Sequence, residues 1–171
     1  NERASPVEGH KGKALHFEDW SVKNYIRPNP AEASRLVVNE TGPDTSAISP
    51  PLPFRVTAWI FPTADPIYYG GIVEKGQGYG ASYRLLLLRG LKVSASVGGK
   101  HATARSQLPI TLNAWHEVTL EADGSTLTLF VDGKAEGRAE IPAGSVARDA
   151  APLLIGDRFT GRIDEVEISI Q

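Results

Sequence analysis

Short runs of alternating apolar and polar residues fill most of the chain, and a helical spacing of apolar positions is nearly absent. In the segment 54–60, Phe54, Val56 and Ile60 fall on one side of an extended chain. A period of two is the pattern of a β-strand with one buried face. Because 17 glycines and 12 prolines interrupt these runs, the pattern predicts an all-β fold of about a dozen short strands, arranged as a sandwich or barrel.

Tight turns are predicted where a glycine separates two alternating runs. Gly90 separates the runs 82–88 and 91–97, and Gly124 lies between two further runs. Asp132 is followed by glycine, a pair that often joins neighbouring antiparallel strands. Antiparallel hairpins are therefore expected to make up much of the fold.

The 171 residues are close to the length of one domain and can bury a substantial core. The segment 40–53 contains four prolines and is predicted to be a long loop. Residues 1–11 are predicted to be a linker or tail, and 12–171 to be the folded domain. Since methionine is absent even at position 1, we expect the chain to be a module of a larger protein.

Composition excludes several classes of function. The absence of cysteine excludes disulfides, thiol catalysis and cysteine-ligated metal sites. The longest apolar run, Leu85–Leu88, has four residues, whereas a membrane helix needs roughly 20. The net charge is −2, without a block of like charges. We therefore expect neither membrane insertion nor nucleic-acid binding.

An ordered set of segments resembles a known family. In chain order these segments are Phe54–Ile60, Gly71–Gly76, Ser82–Leu85, Asn113–Val118, Leu127–Lys134, Leu153–Asp157 and Phe159–Val166. Together they resemble the laminin-G-like branch of the concanavalin A-like lectin/glucanase superfamily, and 12–17 is similar to its opening strand. The resemblance implies a two-sheet antiparallel jelly-roll sandwich. It also implies a noncatalytic recognition module for carbohydrate or a protein surface, in an extracellular, periplasmic or cell-surface protein.

Asp164 is the carboxylate that the pattern singles out. Alternation along the last strand predicts that Asp164 shares an apolar face with Val166, where a charge must be paired or hydrogen-bonded. Two interpretations stay open: Asp164 accepts hydrogen bonds from backbone N–H groups of a turn, or it binds calcium, which prefers oxygen ligands. The resemblance implies a calcium between such an aspartate and the loop after the opening strand, where this chain has Glu18 and Asp19.

Aromatic residues of the glycine-rich region 66–83 are the candidate ligand contacts. Tyr68, Tyr69 and Tyr79 occur there, and aromatic faces suit stacking on the apolar C–H patches of sugar rings. Arg84 would add contacts to hydroxyl or carboxylate groups. The alternative is that the tyrosines cover the edges of the sheets.

Two other functions stay open: a glycoside hydrolase or polysaccharide lyase of the same fold, and a structural spacer. Retaining glycosidases need two carboxyl groups roughly 5 Å apart. In the stretch that best matches their motif, Arg162 stands where the nucleophile would be, and alternation places Glu167 on the face opposite Asp164. The chain is therefore predicted not to be an enzyme.

Trp59, Trp115 and the histidines are predicted to have structural roles. Trp59 points away from the apolar face of its own strand, yet large apolar residues in strands usually pack. Trp59 and Trp115 are therefore predicted to be core residues. The four histidines show no zinc-binding spacing, so they are predicted to be ordinary surface or hydrogen-bonded residues.

Overall fold

The computed structural model describes residues 5–17, 35–38, 48–76, 81–99, 101–145 and 151–171, and these residues form strands and turns but no helix. The strands are Ser5–Glu8 (β1), Lys13–Phe17 (β2), Leu36–Val38 (β3), Phe54–Pro62 (β4), Tyr69–Lys75 (β5), Tyr83–Leu88 (β6), Lys92–Val97 (β7), Ala102–Arg105 (β8), His116–Ala122 (β9), Thr126–Val131 (β10), Lys134–Glu140 (β11), Leu153–Ile155 (β12) and Gly161–Ile170 (β13). The predicted all-β class is confirmed. Within these ranges no helix has the length and apolar character needed to cross a membrane.

The strands form two antiparallel sheets. Sheet A has the order β1-β2-β13-β4-β9-β10-β11, and sheet B has the order β3-β12-β5-β6-β7-β8. The last two strands are inserted between earlier ones, β13 between β2 and β4 and β12 between β3 and β5. Edge strands β11 and β8 pack against each other along one side of the molecule. The predicted two-sheet jelly-roll sandwich is confirmed.

The core lies between the two sheets. Side chains that alternate along each strand face inward and exclude water almost completely; they include Val56, Ile60, Val118, Leu120, Leu127 and Leu129 from sheet A, and Val73, Leu85, Leu87, Val93 and Ala95 from sheet B. Each such aliphatic side chain larger than alanine contributes about 1.5–3 kcal/mol to stability by its burial. The outward residues of the same strands are consequently left free to form a site.

The predicted turns lie where glycine and aspartate allow them. Asp132 and Gly133 both have positive φ, 50° and 75°, as a two-residue hairpin turn requires. At the turn before β10, Asp123 Oδ1 accepts the N–H groups of Ser125 and Thr126 at 2.9 and 2.7 Å. These local bonds fix the register of the β9–β10–β11 meander.

The first strand lies inside a segment predicted to be a linker or tail. Ser5–Glu8, within 1–11, pairs with β2 in sheet A. The sheet therefore begins before the predicted boundary at residue 12. Its single apolar residue, Val7, gave too little alternation to mark a strand in the sequence.

A β-bulge interrupts the pairing of β13 with β4. Asp164 is opposite Trp59, and Glu167 is opposite Thr57, so β13 has one residue more than β4 between these two pairs. Glu165, inside the bulge, has a φ of 48°. An extra residue of this kind shifts the inside-outside alternation by one position.

The bulge changes the face on which Asp164 lies. Ile163 is opposite Ile60 and is 2% exposed, so it faces the core and Asp164 does not. Val166, at the end of the bulge, and Ile168, beyond it, pack against the core as the alternation predicted. The prediction that Asp164 shares this inward face is therefore wrong, because the alternation changes phase between the two halves of β13.

Replacing an inward leucine should test the importance of the core. We expect Leu120→Ala to lower the free energy of unfolding by about 2–5 kcal/mol, through lost burial and a cavity. The matched control is Leu108→Ala, because Leu108 is 70% exposed and should change stability by less than about 0.5 kcal/mol. Urea unfolding followed by tryptophan fluorescence measures both, and equal losses would contradict this description of the core.

Candidate functional site

The outer face of sheet B carries the predicted contact residues Tyr69 and Arg84. In the β5–β6 pair, Glu74 is opposite Arg84. Their neighbours Val73 and Leu85 are fully buried in the core, so Glu74 and Arg84 point to the other side of the sheet. Hairpin register thus places a carboxylate and a guanidinium side by side on this face.

Two guanidinium groups surround the ring of Tyr69. The central carbons of Arg84 and Arg158 lie 5.3 and 5.1 Å from the ring centroid, within cation–π distance. Arg158 Nη1 also donates a hydrogen bond of 2.7 Å to the Tyr69 hydroxyl. Burial, together with the nearby charge of Glu74, raises the pKa of this hydroxyl, so it stays neutral. We call Tyr69, Glu74, Arg84, Asp157 and Arg158 the Tyr69 cluster.

Glu74 is a buried carboxylate with one unused acceptor. The residue is 3% exposed, and its Oε2 accepts a 2.8 Å hydrogen bond from Arg84 Nε. Its Oε1 is buried without a partner among the described residues and sits over Gly71, where a Cβ would collide with it. The pKa of Glu74 is raised, mainly by burial, although the charge and hydrogen bond of Arg84 act in the opposite direction. An unpaired buried acceptor costs about 1–3 kcal/mol.

A second carboxylate, Asp157, follows β12 and connects it to this face. Asp157 is 6% exposed, and its Oδ1 accepts a 3.3 Å hydrogen bond from Arg35. Its Oδ2 lies 3.8 Å from Arg158 Nε, while its backbone oxygen accepts the N–H of Gly71 at 2.7 Å. Three arginines and two carboxylates therefore hold one another in place around Tyr69.

The structure brings Tyr69 and Arg84 together but leaves Tyr68 in solvent. Tyr68 is 71% exposed, which is the largest exposure among the large apolar side chains of the described residues. Tyr79 lies outside the described ranges. The assignment of all four residues to a ligand site stays a prediction.

Sequence reasoning missed three members of the cluster: Glu74, Asp157 and Arg158. Arg158 contacts Tyr69 across 89 positions of the chain, and no local pattern encodes such a distance. Glu74 did leave a signal, since a carboxylate inside the mostly apolar strand 71–75 must have a partner.

Asp164 lies at the turn between β1 and β2 on the outer face of sheet A. Its Oδ2 accepts the backbone N–H of Lys11 at 3.1 Å, and its Oδ1 accepts the N–H of Glu165 at 2.8 Å. These hydrogen bonds are the ones expected if Asp164 serves as an acceptor for backbone N–H groups of a turn. Asp164 thereby joins the first hairpin to the bulge of β13.

The side chains around Asp164 are already paired with one another. The neighbouring carboxylate of Glu165 lies 2.8 Å from His10 Nδ1 and 3.1 Å from Lys11 Nζ, and these contacts lower its pKa. In the part of the chain that the structure describes, no group of three or more histidine or acidic side chains could hold a metal ion. Glu18 and Asp19 lie outside that part. The described residues alone do not fit a calcium site, and calcium stays a prediction.

Trp59 and Trp115 lie on the outer face of sheet A. His10 stacks on Trp59 at 3.7 Å between ring centroids, with 10° between the planes. Trp115 meets the edges of His10 and Phe61 at 5.9 and 5.4 Å. The prediction of core tryptophans is wrong, because each packs in a half-buried aromatic cluster under the β1–β2 turn.

His116 is hydrogen-bonded on both ring nitrogens. Its Nδ1 lies 2.8 Å from Asp132 Oδ2, and its Nε2 lies 3.0 Å from the hydroxyl of Thr111. This order of groups resembles a hydrolytic triad. The backbone N–H of Thr111 also donates to Nε2 at 3.2 Å, so the lone pair that a general base needs is already engaged. The prediction of a hydrogen-bonded histidine is confirmed for His116.

The fold and the site define a class: a two-sheet sandwich whose outer faces carry polar and aromatic side chains. The chain belongs to the Laminin_G_3 family of the concanavalin A-like lectin/glucanases superfamily, which matches it over residues 43–170. The sequence-based family prediction is therefore confirmed. None of the curated proteins matches the chain significantly.

Three solved structures illustrate the fold. The binding domain of Paraclostridial Mosquitocidal Protein 1 has a TM-score of 0.71 and 16% identity, over 98% of this chain and 42% of that one. Domain 4 of AbnA, an extracellular arabinanase from Geobacillus stearothermophilus, was solved with arabinotriose and has a TM-score of 0.63 and 12% identity, over 98% and 75%. Mouse laminin alpha1 domains LG4-5 give 0.54 and 19%, over 69% and 35%. This chain thus spans less than half of the first and third proteins' chains.

The raised pKa of Glu74 should make stability depend on pH. In the unfolded chain this carboxyl titrates near its ordinary value of 4.5, whereas the folded protein keeps the proton to higher pH. Stability should therefore fall as pH rises from 4.5 through the raised pKa. Glu74→Gln should lack this fall, and Glu140→Gln, at an exposed position, should keep it. Urea unfolding over this pH window measures all three, and parallel curves for wild type and Glu74→Gln would contradict the assignment.

Removing the carboxylate of Asp164 should loosen the link between the first hairpin and β13. We expect Asp164→Ala to lower the free energy of unfolding by about 1–2 kcal/mol, since two backbone N–H groups lose their acceptor. Glu167→Ala, at an exposed carboxylate of the same strand, is the control and should have little effect. Unfolding is measured in calcium and again in chelator. Unchanged stability of Asp164→Ala in both would refute the hydrogen-bond and the calcium interpretations together.

Proposed function

We propose that this domain is a noncatalytic recognition module that binds carbohydrate on the outer face of sheet B. The observation that carries the proposal is an exposed ring, Tyr68, directly before a strand whose first residue, Tyr69, is surrounded by charged side chains. Tyr68 is 71% exposed, so its ring is accessible to a ligand. An aromatic ring in this position suits the apolar C–H face of a sugar.

The charged side chains of the Tyr69 cluster suit the hydroxyl groups of a sugar. A hydroxyl both donates and accepts hydrogen bonds, and the cluster offers guanidinium donors from Arg84 and Arg158 and carboxylate acceptors from Glu74 and Asp157. These groups are held by one another, so little side-chain entropy is lost when a ligand binds.

A protein ligand is less well supported than a carbohydrate. Stable protein interfaces bury about 800 Å² on each partner around an apolar centre. The exposed large apolar residues of the described ranges are only Tyr68, Leu108, Leu112 and Ile170. Tyr68 belongs to the loop before β5 in sheet B, whereas Ile170 ends β13 in sheet A, so these two side chains belong to different sheets.

A glycosidase or lyase is also less well supported. The bulge places Asp164 and Glu167 on the same outer face of sheet A, so the prediction that they face opposite sides is wrong. Both oxygens of Asp164, however, accept backbone N–H groups, and Arg162 lies over the ring of Phe61 at 4.9 Å. Asp164 is therefore engaged by the backbone, and an arginine cannot act as the acid or nucleophile that such chemistry needs.

Similar structures support a carbohydrate ligand and an extracellular, periplasmic or cell-surface location. The arabinanase domain was solved with a trisaccharide, and its parent enzyme is extracellular. The matched chains are longer than this one, which supports a module of a larger protein. Calcium, bound through Asp164 with Glu18 and Asp19, is part of the proposal.

A glycan array tests the proposal. The domain is applied in calcium buffer and again with chelator, and selective binding of one glycan class is expected. Tyr68→Ala should then weaken binding of that glycan about tenfold, as expected for loss of a stacking contact. Ile170→Ala, which removes a side chain 57% exposed on sheet A, should bind like wild type.

Two results would count against the proposal. Absence of binding to any arrayed glycan would favour a protein-binding or structural domain, and unchanged binding by Tyr68→Ala would place the site elsewhere. A loss of binding in chelator alone would support the calcium part, whereas equal binding in both buffers would remove calcium from the proposal.

A further inference from the structure

An open groove runs along the side of the molecule where the edge strands β8 and β11 meet. Its volume is about 660 Å³, within the range of small-ligand sites. The lining residues are Thr103, Arg105, Gln107, Gly137 and Arg138. The four side chains of this lining are exposed, so a ligand can reach them.

Gly137 brings the two arginines together. A Cβ at this position would lie 2.5 Å from the carbonyl oxygen of Arg105 and 2.9 Å from its nitrogen, closer than any real side-chain carbon. Glycine therefore allows β11 to press its backbone against β8. Because Arg138 directly follows Gly137, the Arg105 and Arg138 side chains start from neighbouring points of the backbone.

Neither guanidinium of the groove is neutralised. Arg105 and Arg138 form no ion pair and no side-chain hydrogen bond with the described residues, whereas Arg55 and Arg84 pair with carboxylates. The nearby carboxylate of Glu136 accepts the backbone N–H of Gln107 at 3.1 Å. Arg138 is close enough to Asp123 to interact with it electrostatically, but the two side chains do not form an ion pair. Two adjacent, unpaired cations attract an anion.

On its β8 side, the groove shares the outer face of sheet B with the Tyr69 cluster. Ser96 is opposite Arg84 on one side and Thr103 on the other, so these three side chains form one row across sheet B. Strands β5 and β8 are separated by β6 and β7, which places the groove about 14 Å from β5. A chain of several sugar units could reach both places.

We infer that this groove binds a carboxylate or sulfate group of an acidic polysaccharide between Arg105 and Arg138. Guanidinium groups bind such anions through paired, charge-assisted hydrogen bonds. Thr103 and Gln107 offer a hydroxyl and an amide for the neighbouring sugar hydroxyls. The inference rests on the proposed function in taking the ligand to be a carbohydrate.

The test compares acidic polymers with their neutral forms. The whole domain is titrated into polygalacturonate and its methyl-esterified form, and into heparin and its desulfated form. Wild type should bind at least one acidic polymer more tightly than its neutral form. Arg105→Gln and Arg138→Gln should each weaken that binding about three- to tenfold, and the double variant should bind both forms equally. Thermal unfolding checks that each variant is folded.

Lys13→Gln is the matched control. It removes one exposed positive charge from β2, at the opposite end of sheet A from β11. If Lys13→Gln weakens binding as much as the arginine variants do, only net charge matters and the inference is overturned. It is also overturned if wild type shows no preference for an acidic polymer, or if inorganic sulfate competes as well as the polymer does.

The two proposals fail in different ways. Binding of neutral glycans that depends on Tyr68, without any acidic preference, would overturn the groove and leave the proposed function standing. Binding of an acidic polymer that depends on Arg105 and Arg138, with Tyr68→Ala unchanged, would support the groove and overturn the site at Tyr68.

Discussion

The rest of the molecule depends on the mutual burial of two sheet faces. Each sheet has an inner face rich in aliphatic residues, such as Leu120 in sheet A and Leu85 in sheet B, and neither face is stable in water alone. Since this burial and the backbone ladders hold the strands, the inner faces supply most of the stability. Costly arrangements, such as the buried carboxylate of Glu74, can therefore be tolerated on the outer faces.

Fold class, hairpins and family were predictable because their signals are local. Alternation marks a strand from its own residues, and a pair such as Asp132 with Gly133 marks a turn from two positions. The bulge in β13 has no such signal, since it depends on how Asp164 and Glu167 pair with another strand. The pattern predicted Val166 correctly and Asp164 wrongly for this one reason.

The candidate site was only partly predictable. Tyr69 and Arg84 could be selected by residue type in a glycine-rich region, and hairpin register does bring their strands together. Arg158 and Asp157 reach the same place through the crossover that inserts β12 beside β5. The groove depends likewise on Gly137 meeting Arg105, two residues of different sheets. Such contacts follow from topology, which no short stretch of sequence encodes.

The bulge also affects how this chain can be compared and altered. Deleting one of the two residues between Asp164 and Glu167 would restore an uninterrupted ladder and leave both halves of β13 on their present faces, whereas closing the ladder without a deletion would turn one half inside out. Any alignment of the chain with distant relatives should treat the residues before and after the bulge as two separately registered blocks.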